Sequence, residues 1–307
     1  MAYAVLFPGQ GSQFVGMGAD VFAARPDLVG VRADGILGFS LEEVCLDGPE
    51  EVLTRTENAQ PALFAVAYAL WQALAAVAPP PSAAAGHSLG EYTALAAAGV
   101  IPYEAALGVV AERGRAMAAA ADARPSGMAA VIGSDAAATE AVCDDRRRSG
   151  GELWVANLNA PGQVVVAGAA ADIEWLGSNA RDLGLRRVIP LAVAGAFHSP
   201  FMAGAAERLA AALADVEVGE FGFPVYANVD ARPLEPSRVK ENLVSQAVSP
   251  VRFAETLESM ATAGIDTFVH VGPGDVTAGL AKRTLPEATT LSVSSLGDIS
   301  AVAAVLV

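Results

Sequence analysis

The segment Gly86-His87-Ser88-Leu89-Gly90 constrains this chain more than any other. The small apolar run Ala83-Ala84-Ala85 leads into it. Glu91, Tyr92 and the helix-forming run Thr93-Ala94-Leu95-Ala96-Ala97-Ala98 lead out. A G-x-S-x-G pattern placed between a strand and a helix reads as a sharp turn that exposes the serine hydroxyl, with glycines letting two backbones pass closely. The helix that follows aims backbone N–H groups at charge developing beside that serine. With 30 glycines in the chain the five letters alone would carry little. Their strand–turn–helix setting makes Ser88 a candidate nucleophile rather than a structural turn serine.

The flanking pattern is that of an α/β protein. Tyr3–Phe7 reads as a buried strand ending in the turn residues Pro8-Gly9-Gln10-Gly11-Ser12-Gln13. Helices are expected over 61–78, with Pro61 in the first turn, and over 102–121. Residues 125–195 change rhythm, with a strand at 128–132, a helix at 136–147, strands at 154–157 and 164–167, a helix at 170–183 and a strand at 187–193. This βαββαβ order is ferredoxin-like. The α/β pattern then resumes with a helix around 202–213, a strand at 224–228, a helix at 251–263, a strand at 266–271 and a final strand and helix from 290 onward. The expected fold is an α/β-hydrolase-like parallel-sheet large subdomain of residues 1–122 and 196–307, with an inserted ferredoxin-like small subdomain of residues 123–195.

Composition narrows the function. A formal net charge of −15 disfavours nucleic acid and anionic membrane as partners. Residues 121–195 hold seven arginines against nine acids, so this stretch is the least repulsive place for an acidic partner. No apolar run reaches membrane-spanning length, and the N-terminus lacks a basic region before its apolar stretch, so a cytoplasmic protein is expected; the sequence is silent on oligomeric state, and a monomer is the default. The two cysteines, Cys45 and Cys143, have no metal-ligand spacing, and no metal site is expected.

A serine at such a turn needs a base, and the chain has three histidines. His87 adjoins the serine, so its side chain points away and packs. His270 lies in the apolar strand FVHVG and reads as structural. His198, in Ala196-Phe197-His198-Ser199-Pro200, falls where the chain re-enters the large subdomain and is the candidate base. No acid carries a signature marking it as the histidine's partner, and a backbone carbonyl could orient the imidazole instead. Arg113, in VVAERGRAMAAA, is either an ordinary solvated charge or, beside Gly114, a cleft residue able to grip a carboxylate with its fork.

Eight stretches occur together in order: FPGQGSQFVGMG (7–18), TENAQPALFA (56–65), GHSLGEYTAL around Ser88, ERG with Met117, NLNAPGQVVVAG (157–168), AFHSPFM (196–202), SPVRF (249–253) and VGPG (271–274). On these the chain resembles the malonyl-CoA:acyl-carrier-protein transacylase family, which includes the acyltransferase domains of polyketide synthases. The resemblance implies a Ser88–His198 dyad with a backbone carbonyl orienting His198, and an oxyanion hole from the Gln10 and Leu89 N–H groups. It implies that Arg113 holds the malonyl carboxylate, with Gln246 lining the acyl site, Met117 packing beside it and Asn157 and Asn159 facing the cleft. No bound cofactor is implied; malonyl-CoA is the donor substrate and the phosphopantetheine thiol of an acyl carrier protein, a transient partner, is the acceptor. Bulky Phe197 and Leu89 beside the reacting centre would crowd a substituent at C2 and favour malonyl over methylmalonyl, a difference of about 1–3 kcal/mol per methyl.

The resemblance has two departures: the residue after its G-P-G, and a general acidity that argues for weak, transient docking of a carrier. The family commonly carries lysine after its G-P-G, where this chain has Asp275. That removes a positive charge where a carrier or CoA phosphate could approach, and Arg181, Arg186, Arg187, Lys282 and Arg283 are candidates to compensate. The alternatives are an acyl hydrolase of the same fold, an acyltransferase with another acyl preference, and a non-catalytic carrier-docking protein.

Overall fold

A computed structural model describes residues 2–307. Strand β1 (Tyr3–Phe7) is followed by five short helices: α1 (Ala19–Ala24), α2 (Pro26–Val29), α3 (Val31–Leu37), α4 (Leu41–Leu46) and α5 (Glu50–Leu53). Helix α6 (Thr56–Ala75), strand β2 (Ala83–Gly86), helix α7 (Gly90–Ala97) and helix α8 (Tyr103–Asp122) complete the first half of the large unit. Then come β3 (Ser126–Ile132), α9 (Ala136–Arg148), β4 (Leu153–Ala160), β5 (Gln163–Ala169), α10 (Ala170–Asn179) and β6 (Arg187–Pro190). The chain finishes with α11 (Ala203–Leu213), β7 (Val225–Tyr226), α12 (Val239–Gln246), α13 (Phe253–Thr262), β8 (Thr267–Val271), α14 (Val276–Thr284), β9 (Thr289–Val293) and α15 (Ile299–Leu306). Among the described residues no helix is long and apolar enough to cross a membrane.

Two sheets organise these elements. One is five-stranded and all parallel, in the order β7-β2-β1-β8-β9. Its central strand shows why it reads as a continuous apolar run. Tyr3, Val5 and Phe7 pack into the core on one face, while Ala4 and Leu6 pack into the core on the other. The second sheet is four-stranded and antiparallel, in the order β4-β5-β3-β6, and comes wholly from the βαββαβ stretch. Its residues alternate as a half-and-half sheet should. Ala129, Val131, Val164 and Val166 pack into the small unit's own core, with Leu153 and Leu176. Met128, Ala130, Val165 and Ala167 face Met117, Phe197 and Met202 of the large unit.

Several elements differ from the sequence expectation. Helix α6 starts at Thr56, so Pro61 lies inside it. A helical proline leaves the carbonyl four residues earlier, Glu57, without its intrahelical partner. Helix α8 packs against that point: a Cβ on Gly114 would lie 2.9 Å from both the Glu57 Cα and the Thr56 carbonyl oxygen. Tertiary packing thus holds the helix through its proline. Strand β6 ends at Pro190 and helix α10 at Asn179, both short of their expected ends. Val251 does not open α13. It pairs in parallel with Asn157, its N–H donating to the Ala156 carbonyl (2.9 Å) and its carbonyl accepting from Leu158 N–H (2.8 Å). One large-unit residue therefore extends the small sheet beside a bulge in β4.

Candidate active site

The carboxyl ends of β1 and β2 lie side by side, with Phe7 opposite Gly86, and here the chain turns sharply into α7. A Cβ on Gly86 would come within 1.8 Å of the Gly90 carbonyl carbon, and one on Gly90 within 2.2 Å of the Phe7 carbonyl oxygen. Only glycine fits at either position, which is why the pattern has one on each side of the serine. Ser88 between them is left-handed (φ 51°), a conformation that a non-glycine residue adopts only when its surroundings enforce it. The Asn228 side chain helps to do so: its Oδ1 accepts from Ser88 N–H (2.8 Å), and its Nδ2 donates to the Gly86 carbonyl (2.7 Å).

The candidate nucleophile and the candidate base are in contact. Ser88 Oγ lies 2.7 Å from His198 Nε2, and His198 Nδ1 lies 2.9 Å from the Gln246 backbone carbonyl. That carbonyl can only accept, so Nδ1 carries the proton and Nε2 is left free to accept from the serine hydroxyl. His198 is itself left-handed (φ 57°) and buried. Burial first, and then the charge of Arg113, push its pKa down to about 3, so the imidazole is neutral and ready as a base. The third member of the constellation is thus the carbonyl at the end of α12 rather than an acid.

Arg113 is not a solvated charge; it is 1% exposed, on α8. Its Nη1 donates to Gln60 Oε1 (2.7 Å), and its Nη2 donates to both Gln246 Oε1 (3.0 Å) and Ser88 Oγ (3.0 Å). The guanidinium lies 5.2 Å from the Tyr92 ring centre, and its Nε is buried without a partner. All its hydrogen-bond acceptors among the described residues are neutral, so a buried cation sits beside Ser88 with no carboxylate among them touching it. Burial works against its charge, and Tyr92 and Glu91 support it.

Gln10 and Leu89 frame the other side of Ser88. A Cβ on Gly9 would meet the His87 carbonyl oxygen at 2.5 Å, and one on Gly272 would meet the Pro8 ring at 2.6 Å. The PGQG loop is therefore wedged between the serine turn and the GPG loop. Neither the Gln10 nor the Leu89 amide has an acceptor among the described residues, and Gln10 lines the cleft. Met117, Phe197, Asn157 and Asn159 line the same cleft, with Gln60, Met128, Val165 and Val193.

Gln246 departs from expectation. Its side chain is fully buried and does not line the cleft. It sits behind the site, its Nε2 donating to the Ser88 carbonyl (2.8 Å) and Glu91 Oε2 (2.7 Å) while its Oε1 holds Arg113. Gln60, which holds the other end of the Arg113 fork, does line the cleft. His87 does point away from Ser88, stacking edge-on against Phe253. It also bonds Asn159 Oδ1 across to the small unit (2.7 Å). His270 is buried, bonded to Thr277 Oγ1 (2.6 Å) and the Gly272 carbonyl (3.0 Å), and shapes the GPG loop. Cys45 and Cys143 are both buried. Arg283 bonds Gln163 Oε1 (3.4 Å) and Arg186 packs against Gly133, whose N–H bonds the Gly162 carbonyl, so two of the basic residues flank the β4–β5 turn.

Sequence reading missed Gln60, Glu91 and Asn228. The first two lie inside the quoted motifs, in TENAQP and GHSLGE, while nothing local marks Asn228.

The acyl transferase domain family model matches residues 5–299. A malonyl CoA-acyl carrier protein transacylase of Bacillus subtilis is 40% identical over 294 residues, which is 95% of this chain and 93% of that protein. The solved malonyl CoA-acyl carrier protein transacylase of Coxiella burnetii superimposes with a TM-score of 0.94 at 32% identity, covering 100% of this chain and 98% of that one. A chain from the complex of a type II PKS acyl-carrier protein with its malonyl-transacylase superimposes with a TM-score of 0.92 at 36% identity, covering 98% of each. Matches of this length and identity leave one family, and the chain belongs to it: it is an acyl transferase, related over nearly its whole length to the malonyl CoA-acyl carrier protein transacylases.

Proposed function

We propose that this enzyme transfers a malonyl group from malonyl-CoA to the phosphopantetheine thiol of an acyl carrier protein through a malonyl ester of Ser88. One observation carries the reading: Ser88 Oγ is within hydrogen-bond reach of both a neutral imidazole, at 2.7 Å, and a buried guanidinium that no carboxylate touches, at 3.0 Å. An esterase acting on neutral acyl chains has no use for the second group. An acyl group ending in a carboxylate does.

Ser88 attacks the thioester carbonyl while His198 Nε2 takes its proton, and the oxyanion is met by the Gln10 and Leu89 N–H groups. His198 returns the proton to the departing CoA thiolate. The carrier's thiol then gives its proton to His198, attacks the ester and regenerates Ser88, a ping-pong sequence. The Arg113 fork pairs with the malonyl carboxylate, releasing Ser88 Oγ as it does so. Phe197, with Met117 beside it, bounds the acyl group and favours malonyl over branched analogues; the Leu89 side chain, expected to share that role, is buried in the large unit's core. We place the site between a large subdomain of residues 1–122 and 196–307 and an inserted subdomain of residues 123–195. The enzyme is read as cytoplasmic, consistent with free, buried Cys45 and Cys143, and as a monomer by default.

Incubation with malonyl-CoA and a holo-carrier tests transfer. Malonyl-carrier should form in step with CoA release. CoA release with no malonyl-carrier would instead identify a hydrolase.

A further inference from the structure

Glu91 is a fully buried acid that the reaction as described does not use. It stands one residue past the second glycine of the serine turn, in the first turn of α7. Its Oε1 accepts from Asn242 Nδ2 (2.5 Å), and its Oε2 accepts from Gln246 Nε2 (2.7 Å) and the Asn228 N–H (3.1 Å). Three donors and no acceptor surround it, an arrangement that suits an oxygen-only side chain. Asn242 and Gln246 are four residues apart on α12 and so share one face of that helix. Glu91 grips both, clamping the last turn of α12 onto the helix that follows the nucleophile.

The clamped residue is the hub of the site. The Gln246 backbone carbonyl orients His198, its Oε1 holds Arg113, and its Nε2 bonds the Ser88 carbonyl. We propose that Glu91 is a positioning residue that, through Gln246, sets where the Arg113 guanidinium stands relative to Ser88 and so sets the preference for an acyl group bearing a carboxylate. The proposal rests on the functional reading above.

Reach and charge can be separated at this position. Glu91→Gln keeps the length and one acceptor oxygen toward Gln246 and Asn228, and Asn242, whose Nδ2 bonds only Glu91, can turn its amide to meet the new NH₂ group. Glu91→Asp keeps the charge but withdraws the oxygens by about one bond length, out of hydrogen-bond range. The readout is the ratio of Ser88 self-acylation rates with malonyl-CoA and acetyl-CoA, followed by intact mass. Both substrates report the same folded molecules, so loss of folded protein does not move the ratio. Glu91→Asp should lower the malonyl:acetyl ratio about tenfold or more, the scale of a lost hydrogen bond to a charged group, while Glu91→Gln stays near wild type. Gln246→Met removes the Glu91 contact together with that side chain's bonds to Arg113 and the Ser88 carbonyl, so it should lower the ratio at least as far as Glu91→Asp, and it tests the Gln246 link even where Glu91→Asp does not fold.

Any other pattern overturns the proposal. A ratio kept in Glu91→Asp and lost in Glu91→Gln would mean that charge alone acts. An unchanged ratio in Glu91→Asp or in Gln246→Met would mean that the clamp only holds the fold. Failure of the wild-type protein to acylate at Ser88 would remove the functional reading, and this inference with it. Acylation with normal malonyl preference in the wild type leaves that reading standing whatever the variants do.

Discussion

Replacing Arg113 by leucine is the sharpest test of acyl selection. The side chain is 1% exposed, so its interaction with an incoming carboxylate is not screened as a surface pair would be. Truncating one partner of a buried, hydrogen-bonded charge pair costs about 2–5 kcal/mol. At about 1.4 kcal/mol per tenfold, that is roughly 30-fold to several thousand-fold in kcat/KM for malonyl-CoA. The lower half of the range is expected, because Gln60 and Gln246 lose their donor and leave polar oxygens able to take up water. Acetyl-CoA has no carboxylate and does not need the fork, so its rate should stay within about tenfold of wild type. Rapid-quench acylation with each substrate, followed by intact mass, reads both numbers from one sample, and thermal unfolding reports the stability change separately. Equal losses for malonyl and acetyl would refute the reasoning, since they would assign Arg113 a purely structural role.

Two further outcomes follow from the geometry. Gly114→Ala would press a methyl to 2.9 Å from the backbone at Thr56 and Glu57, so α6 and α8 must separate; a loss of about 1–3 kcal/mol is expected in denaturant unfolding, with a fall in activity because Gln60 and Arg113 move apart. With its pKa depressed to about 3 by burial and by Arg113, His198 should keep its basic form through mildly acidic pH, and the acid limb of single-turnover acylation should lie well below 6.5. The same shift makes the stability from this histidine fully present above about 6.5 and lost as pH falls toward 3, whereas a limb at the ordinary histidine value would show that His198 is hydrated in the working enzyme.

The serine turn was legible from sequence because its glycines are demanded by local geometry: two backbones meet where no Cβ fits. The βαββαβ order was equally legible, since period-2 alternation in β3 and β5 records two faces buried against different partners. Helix α6 was misjudged at its start because Pro61 is a local breaking signal that packing against Gly114 outweighs. The dyad could be named from three histidines by elimination, but its orienting group could not, because any residue can supply a carbonyl. Arg113 stayed ambiguous on local sequence, and the resemblance, not the periodicity of α8, gave it a role. Gln246 was expected to line the acyl site, whereas its side chain is buried behind it, holding Arg113 and the Ser88 carbonyl. Glu91 and Asn228 were missed because the bonds that tie Asn228 to Glu91 and to Ser88 cross 137 or more positions in sequence, which no local pattern encodes.

The central claim is that Ser88 is acylated. Brief exposure of the protein to malonyl-CoA, followed by intact-mass spectrometry and peptide mapping, tests it directly. The account predicts one added malonyl group, about 86 Da, on the peptide containing Ser88. The adduct should be discharged by a holo-carrier and absent from Ser88→Ala. A protein that turns over malonyl-CoA without this adduct, or whose Ser88→Ala variant still acquires it, would contradict the account.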